Sequence, residues 1–412
     1  MLLVDLISLT LIGVLLCLSI WSFYNIPIFA IGVRNFLKNR QKPHRKSALR
    51  EFPTFSIIIP VKNEERVIGR IIDALSKLDY PEEKKDIIIV EDASSDRSLD
   101  ICMEYSKKQQ NLRILHRPFS MGKPSALNYG LKYAKGEIIA IFDADNVPAL
   151  DALSTVAQYF EDKTVAAVQG KTLSLNSKEN MITQFSFYEE AVWCEVYLRG
   201  KDVLNLFVHL KGSCQFIRRN VLEKLDGFNE TSLCEDMEIS ARLMENNYKI
   251  RYAPDVVALQ ESPSDLKTLF RQRTRWFRGT MEVALKYGRL LSRFNLKTFD
   301  AEATLFAPFI LVASLMPYLA ASWVSSGFFP SIFWAVIVFS ALLTTGLSIL
   351  LCGLALVYVS KPRALRNLIW FPFVFFYWSF QAFIAIYALI LIILRRPKDW
   401  FKTNKQGLIV NI

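Results

Sequence analysis

The chain has 412 residues, 52% of them hydrophobic, 13% aromatic and 22% charged, with 50 Lys+Arg against 39 Asp+Glu for a formal charge of +11. That is too apolar for one soluble domain and too charged for uniform distribution, so the two properties must separate along the sequence. Six cysteines without a Cys-x-x-Cys pair and only three, widely spaced histidines argue against a disulfide framework, a zinc site or a His-based metal centre, and fit reduced thiols in a reducing compartment.

Residues 1–33 are apolar from about Leu6 to Val33, long enough to span a bilayer, and read as an N-terminal transmembrane helix. Only Asp5 precedes the apolar run, whereas Arg34, Lys38, Arg40, Lys42, Arg45, Lys46 and Arg50 follow it in a basic linker, 34–54. A signal peptide would carry its charges first; the order seen here places the next domain on the cytoplasmic side. The basic balance suits anionic partners: lipid headgroups, nucleotide phosphates or nucleic acid.

Residues 55–261 read as an α/β domain with a doubly wound, mostly parallel sheet. Phe55–Pro60 is a strand, Glu64–Leu78 is helical, and Ile87–Val90 is a second strand ending in Glu91-Asp92. A helix runs on to about Gln110, a strand covers Leu112–His116, and Lys123–Ala134 is helical. The central strand is Ile138–Phe142, five apolar residues closed by Asp143-Ala144-Asp145-Asn146. Ligands of open α/β sheets bind outside the carboxyl ends of strands. Asp143 and Asp145 there can hold a hard divalent cation, and the cation a diphosphate, since Mg²⁺ uses one or two carboxylates plus phosphate oxygens and waters. An acidic turn closing a strand has the same composition.

Other residues carry weaker signals. Asp92 at a neighbouring strand end can accept hydrogen bonds from a base or ribose, while Asp96 suits a helix cap. Gly122-Lys123-Pro124-Ser125 is not a phosphate loop, because Arg117 stands where the first glycine is needed, yet Lys123 at a helix start can meet a phosphate. Asp236 in Cys234-Glu235-Asp236 suits a general base; residue chemistry alone favours acids opening a helix.

Residues 262–300 form a basic amphipathic stretch with aromatics, suited to a membrane interface, with a helix start at Ser262-Pro263. Gln272, Arg275 and Trp276 share one helix face: guanidinium suits phosphate, and Trp a sugar ring, an apolar pocket or an interface anchor. Residues 301–396 hold three apolar segments, about Ala303–Trp323, Ile332–Val359 and Leu368–Leu394, before a tail, 397–412. Basic groups at Lys361, Arg363 and Arg366, and again at Arg395, Arg396 and Lys398, cannot both be cytoplasmic if each segment crosses once.

Taken together, Ile59-Pro60-Val61-Lys62-Asn63-Glu64, Glu91-Asp92-Ala93-Ser94-Ser95-Asp96, Gly122 to Asn128, Asp143-Ala144-Asp145, Cys234-Glu235-Asp236 and Gln272-Arg273-Thr274-Arg275-Trp276 occur in an order that resembles the membrane-integrated family 2 glycosyltransferases, which include cellulose, hyaluronan, chitin and poly-N-acetylglucosamine synthases. The resemblance implies a GT-A-type α/β catalytic domain fused to α-helical transmembrane segments, in a multi-pass protein of the cell membrane. It implies Mg²⁺ or Mn²⁺ at Asp143 and Asp145, and a nucleotide-sugar donor, usually uridine diphosphate-linked, against Pro60, Asn63, Glu64, Asp92, Lys123 and Asp143. Asp236 would be the catalytic base, with Glu235, Gln272, Arg275 and Trp276 at the acceptor and diphosphate end. The expected reaction is inverting and β-forming, with a polysaccharide product or, alternatively, one sugar placed on a lipid acceptor. A non-catalytic scaffold or transporter is the third reading. Membrane lipids and an accessory membrane subunit are further expected partners, nucleic acid is not. Glu91 stands where Asp is frequent, and Cys234 where Thr is usual.

Overall fold

The computed structural model describes residues 2–39, 51–288, 295–316, 332–359, 369, 371–398 and 405–408. The basic residues 40–50, the end of the expected Ala303–Trp323 segment and the loop with Lys361, Arg363 and Arg366 lie outside them. The chain divides into two compact units: Gln41–Glu190, Leu206–Arg275 and Lys398–Ile412 form a sheet unit; Met1–Arg40, Ala191–Asn205 and Trp276–Pro397 form a helical unit. This division cuts across the boundaries expected from sequence, taking 191–205 out of the α/β region and returning the tail to it.

In the sheet unit β1 (Phe55–Val61), β2 (Lys85–Asp92), β3 (Leu112–Arg117) and β4 (Ile138–Ile141) alternate with α2 (Ile68–Ser76), α3 (Ser98–Ser106) and α4 (Lys123–Leu131). β1 pairs in parallel with β2 and β4, and β2 with β3. Ile57, Ile58, Ile59, Ile87, Ile88, Ile89 and Ile138 through Ile141 are all fully buried, as continuous apolar strands covered on both faces require. Next come β5 (Val147–Pro148), α5 (Ala152–Tyr159), β6 (Val165–Ser174), α6 (Met181–Val192), β7 (Gln215–Arg218), α8 (Arg219–Lys224), α9 (Glu235–Glu245), β8 (Lys249–Gln260) and α10 (Leu266–Tyr287). The eight strands form one sheet, β3-β2-β1-β4-β7-β6-β8-β5. It is parallel through β4 as expected, then mixed, because β7 runs antiparallel to both β4 and β6.

Two expected helix starts move inward. Residues before Ile68 are tied to the β2–α3 loop: Asn63 N–H donates to Ser94 Oγ at 2.9 Å, Ser95 N–H donates to Asn63 Oδ1 at 2.7 Å, and Glu64 N–H donates to Ser98 Oγ at 2.7 Å. Helix α10 starts after Asp265, whose Oδ1 accepts from Thr268 N–H at 2.8 Å, and not at Ser262, whose N–H and carbonyl are both engaged by Asn176.

The helical unit holds α1 (Leu2–Asn39), a π-helical turn (Trp193–Leu198), α7 (Arg199–Val203), α11 (Leu296–Leu305), α12 (Ala307–Ala313) and the helices Ile332–Val359 and Phe371–Ile393. The expected segment beginning at Ala303 is broken: Pro308 has no N–H for the Thr304 carbonyl, and α11 ends before it. Glycines let backbones meet: a Cβ on Gly32 would lie 2.0 Å from the Val196 carbonyl oxygen, and one on Gly200 2.1 Å from that of Ile28. Beside this contact Lys201 and Asp300 form a fully buried ion pair at 3.0 Å, with Tyr24 donating to Asp300 at 2.9 Å. Among the described residues two stretches are long and apolar enough to cross a membrane, Ile12–Asn39 and Phe375–Ile393.

Candidate active site

The parallel strands of the sheet unit all point their C-terminal ends the same way, and the acids that follow them lie on that side of the sheet. Asp143 lies two residues past the end of β4; its N–H donates to Ser213 Oγ at 3.0 Å, and Ser213 also donates to Asn146, which fixes the Asp143–Asn146 turn. Lys123, the first residue of α4, reaches across: its Nζ lies 2.8 Å from Asp143 Oδ1, 3.1 Å from Glu235 Oε1 and 2.9 Å from the Gly212 carbonyl. One ammonium therefore clasps the acid at the central strand to the acid opening α9. Burial alone would lower the Lys123 pKa, but Asp143, Glu235 and Asp236 outweigh it and hold the ammonium charged well above the usual lysine range.

Asp236 stands beside this clasp. Enclosure by the protein and the neighbouring Glu235 raise its pKa to about 6, against the lowering pull of Lys123, the Met237 N–H and Arg275. Gly212, at φ +78°, forms the floor: a Cβ there would lie 3.2 Å from Asp236 Oδ2 and 3.3 Å from Lys123 Nζ. A carboxyl whose pKa lies at about 6 is chemically suited to take a proton from a hydroxyl.

Asp145 faces a different cation. Its Oδ2 lies 2.5 Å from Lys405 Nζ and accepts from the Glu261 N–H at 3.0 Å. Burial would raise its pKa, yet Lys405, the Glu261 N–H and Arg70 hold it below the usual carboxylate range. Among the described residues no three His, Cys, Asp or Glu side chains cluster as a metal cage. Asp143 and Asp145 carry hard carboxylate oxygens of the kind Mg²⁺ or Mn²⁺ takes, each paired in this structure with a lysine.

Asp92 is buried and already engaged: Oδ2 accepts from Ser120 Oγ at 2.7 Å and Gly122 N–H at 3.3 Å, and Oδ1 lies 3.3 Å from Arg117. It shapes the lip before α4, on which Phe119 and Met121 are exposed. Glu91 accepts from Ser94 N–H at 2.5 Å and meets His116 Nδ1 at 2.6 Å. Pro60 sits on β1 beyond the β1–β4 ladder, which ends at Ile58. The Asn63 Oδ1 is used by the neighbouring loop, while the charge of Glu64 is felt by Lys405. On α10, Gln272 and Arg275 are partly buried and Trp276 is exposed. Arg275 bears on Asp236 electrostatically, and its carbonyl lies 3.9 Å from Cys234 Sγ. Sequence reasoning missed Lys405, Glu261, Arg70 and Gly212; the only signal for the first is a lysine-bearing polar stretch after the last apolar helix.

Residues 53–279 match the family described as "Glycosyltransferase like family 2". The chain is 31% identical to the probable glycosyltransferase YdaM of Bacillus subtilis over 97% of both chains. It is 31% identical to the beta-monoglucosyldiacylglycerol synthase of Trichormus variabilis over 71% of this chain and 63% of that one, and 25% identical to the poly-beta-1,6-N-acetyl-D-glucosamine synthase of Staphylococcus epidermidis over 60% of each. Among solved structures, a mannosyltransferase from Pyrobaculum calidifontis, in complex with GDP-Man and Mn²⁺, superposes with a TM-score of 0.61 at 21% identity, covering 94% of this chain and all of that one. That likeness is one of fold, and the fold is the GT-A type. With its sheet, its acidic strand ends and this kinship, the chain belongs to glycosyltransferase family 2 and is a glycosyltransferase.

Proposed function

We propose that this enzyme transfers a sugar, with inversion, from a nucleoside-diphosphate donor to the hydroxyl of a membrane lipid. The observation that carries the reading is the Lys123 clasp, which sets Asp143 and the Glu235-Asp236 pair on one ammonium. Asp236 takes the acceptor proton, the acceptor oxygen forms its bond to the anomeric carbon, and the bond from that carbon to the diphosphate oxygen breaks. The nucleoside diphosphate leaves with the electron pair, and an α-linked donor gives a β-linked product. Asp143 and Asp145 would hold Mg²⁺ or Mn²⁺, which when bound neutralises charge on the leaving diphosphate. Lys123 adds a second positive charge on that side. Asp92 and the lip it fixes bound the nucleotide end, together with Pro60 and the Asn63-Glu64 loop; a uridine nucleotide is the donor expected there. Gln272, Arg275 and Trp276 serve the acceptor and diphosphate end.

The lipid acceptor is supported by the diacylglycerol-glucosylating relative, which is more similar than the polymer-forming one, and by the two apolar helices. Polymer synthesis, first expected from the sequence, is the rival, supported by the 25% relative. The enzyme is read as membrane-bound, multi-pass, with its sheet unit facing the cytoplasm. Incubating the full chain, in vesicles containing diacylglycerol, with a panel of radiolabelled nucleotide sugars separates the two. A single-sugar lipid extractable into organic solvent supports the proposal; a high-molecular-weight, water-soluble product overturns it in favour of the polymer.

A further inference from the structure

The stretch Lys405–Leu408 lies in the sheet unit and is bound there by a purpose-shaped set of groups. Glu261, buried at the end of β8, accepts the Gln406 N–H on Oε2 at 2.7 Å and the Leu408 N–H on Oε1 at 3.0 Å. Arg70 donates to the Leu408 carbonyl at 2.6 Å and pairs with Glu261 at 2.8 Å. A carboxylate that takes two backbone N–H groups from one short stretch holds it in one register. The register sets Lys405 Nζ on Asp145 Oδ2 at 2.5 Å and on the Glu261 carbonyl at 3.0 Å.

That oxygen then carries two donors, Lys405 and the Glu261 N–H, which fills its two lone pairs. A divalent ion ligated by Asp145 either takes the lysine's place on Oδ2 or sits on the same carboxylate beside it. In the second case a +2 and a +1 charge face each other within a few ångströms, a repulsion twice that of two unit charges. A buried carboxylate is costly alone, so some cation must accompany it in the donor-free enzyme. We propose that Lys405 is that resident cation: seated by Glu261, it occupies Asp145 until a divalent ion displaces it, so that the C-terminal stretch and the metal compete for one carboxylate. This rests on the reading of Asp143 and Asp145 as metal ligands, and it adds an occupant and an order of events to that site.

The test uses the full chain in detergent, without donor, titrated with Mn²⁺ alone while free Mn²⁺ is followed by electron paramagnetic resonance. Lys405→Met should tighten Mn²⁺ binding at least tenfold, and Lys405→Gln, which keeps a hydrogen-bond donor but no charge, should do the same if the first variant does not fold. Glu261→Gln, which weakens the seat without touching the ammonium, should tighten it about threefold. Asp145→Asn in the Lys405→Met background should reverse the gain. Equal Mn²⁺ affinity in the wild type and both lysine variants, or weaker binding in the variants, overturns the competition while leaving the metal reading standing. Failure of every variant to bind Mn²⁺, with or without added nucleoside diphosphate, overturns the metal reading and the proposal with it.

Discussion

Two lysine–carboxylate systems in this protein look alike on paper and differ in what surrounds them. In the helical unit the side chains of Lys201 and Asp300 are both fully buried, and Lys201 also donates to Thr304 Oγ1 at 2.5 Å. In the sheet unit the Asp143 side chain is 38% exposed and Lys123 12%. The first pair has no exposed side-chain surface among the described residues; the second is partly exposed, and its ammonium is shared among three acceptors. Buried ion pairs gain little net stability but are expensive to break from one side, whereas a shared, partly wet lysine can exchange partners. The charge pair inside the helical unit is closed off from water, whereas water reaches the pair in the sheet unit.

The largest effect should come from breaking the open system at its base. Asp236→Asn is expected to slow sugar transfer by roughly 10²- to 10⁴-fold, the usual contribution of a positioned general base, while donor affinity in an equilibrium titration stays near wild type. A variant with wild-type turnover would remove Asp236 from the chemistry. The sealed pair should answer in stability instead. Lys201→Met leaves Asp300 buried without its counter-charge and should cost about 3–5 kcal/mol in denaturant unfolding. A loss below about 1 kcal/mol would show that Tyr24 alone suffices for Asp300. Next, Gly32→Ala forces a methyl into the Val196 carbonyl and should cost about 1–3 kcal/mol by the same measurement; an unchanged unfolding midpoint would mean that α1 can shift away freely.

The smallest effect sharpens the comparison through pH. Because the Asp236 pKa is raised to about 6, the base is ionised above that value and protonated below it. Transfer should be flat above pH 7 and fall about tenfold per unit below pH 6, an inflection absent from the residual rate of Asp236→Asn. Stability runs the opposite way: the native state binds this proton more tightly than the unfolded chain, so the stabilisation it gives at acid pH is lost as pH rises through about 6. A rate that stays level down to pH 5 would refute the assignment.

The placement of Asp143 and Asp145 is legible in the chain, because a run of buried apolar residues stops just before them. Asp236 is not: its residue chemistry reads as acids opening α9, and the family resemblance alone points to a base. Asn63, at a left-handed φ of 55°, also fastens the 94–95 loop by accepting from the Ser95 N–H, a contact that residue type alone does not reveal. The pairing of β6, β7 and β8 carries no local signal in the sequence, since a mixed ladder joins distant segments. The expected membrane segment from Ala303 overlooked what Pro308 does to a helix already underway. Lys405 could not be found at all: its carboxylate is 260 residues away along the chain, and composition carries no information about such a partner.

That separation has a consequence for how the protein is made. Every strand of the sheet and every acid of the site leaves the ribosome well before residues 405–408 do. Through most of its synthesis, then, the chain carries the Asp145 carboxylate without the Lys405 ammonium that meets it in the finished fold.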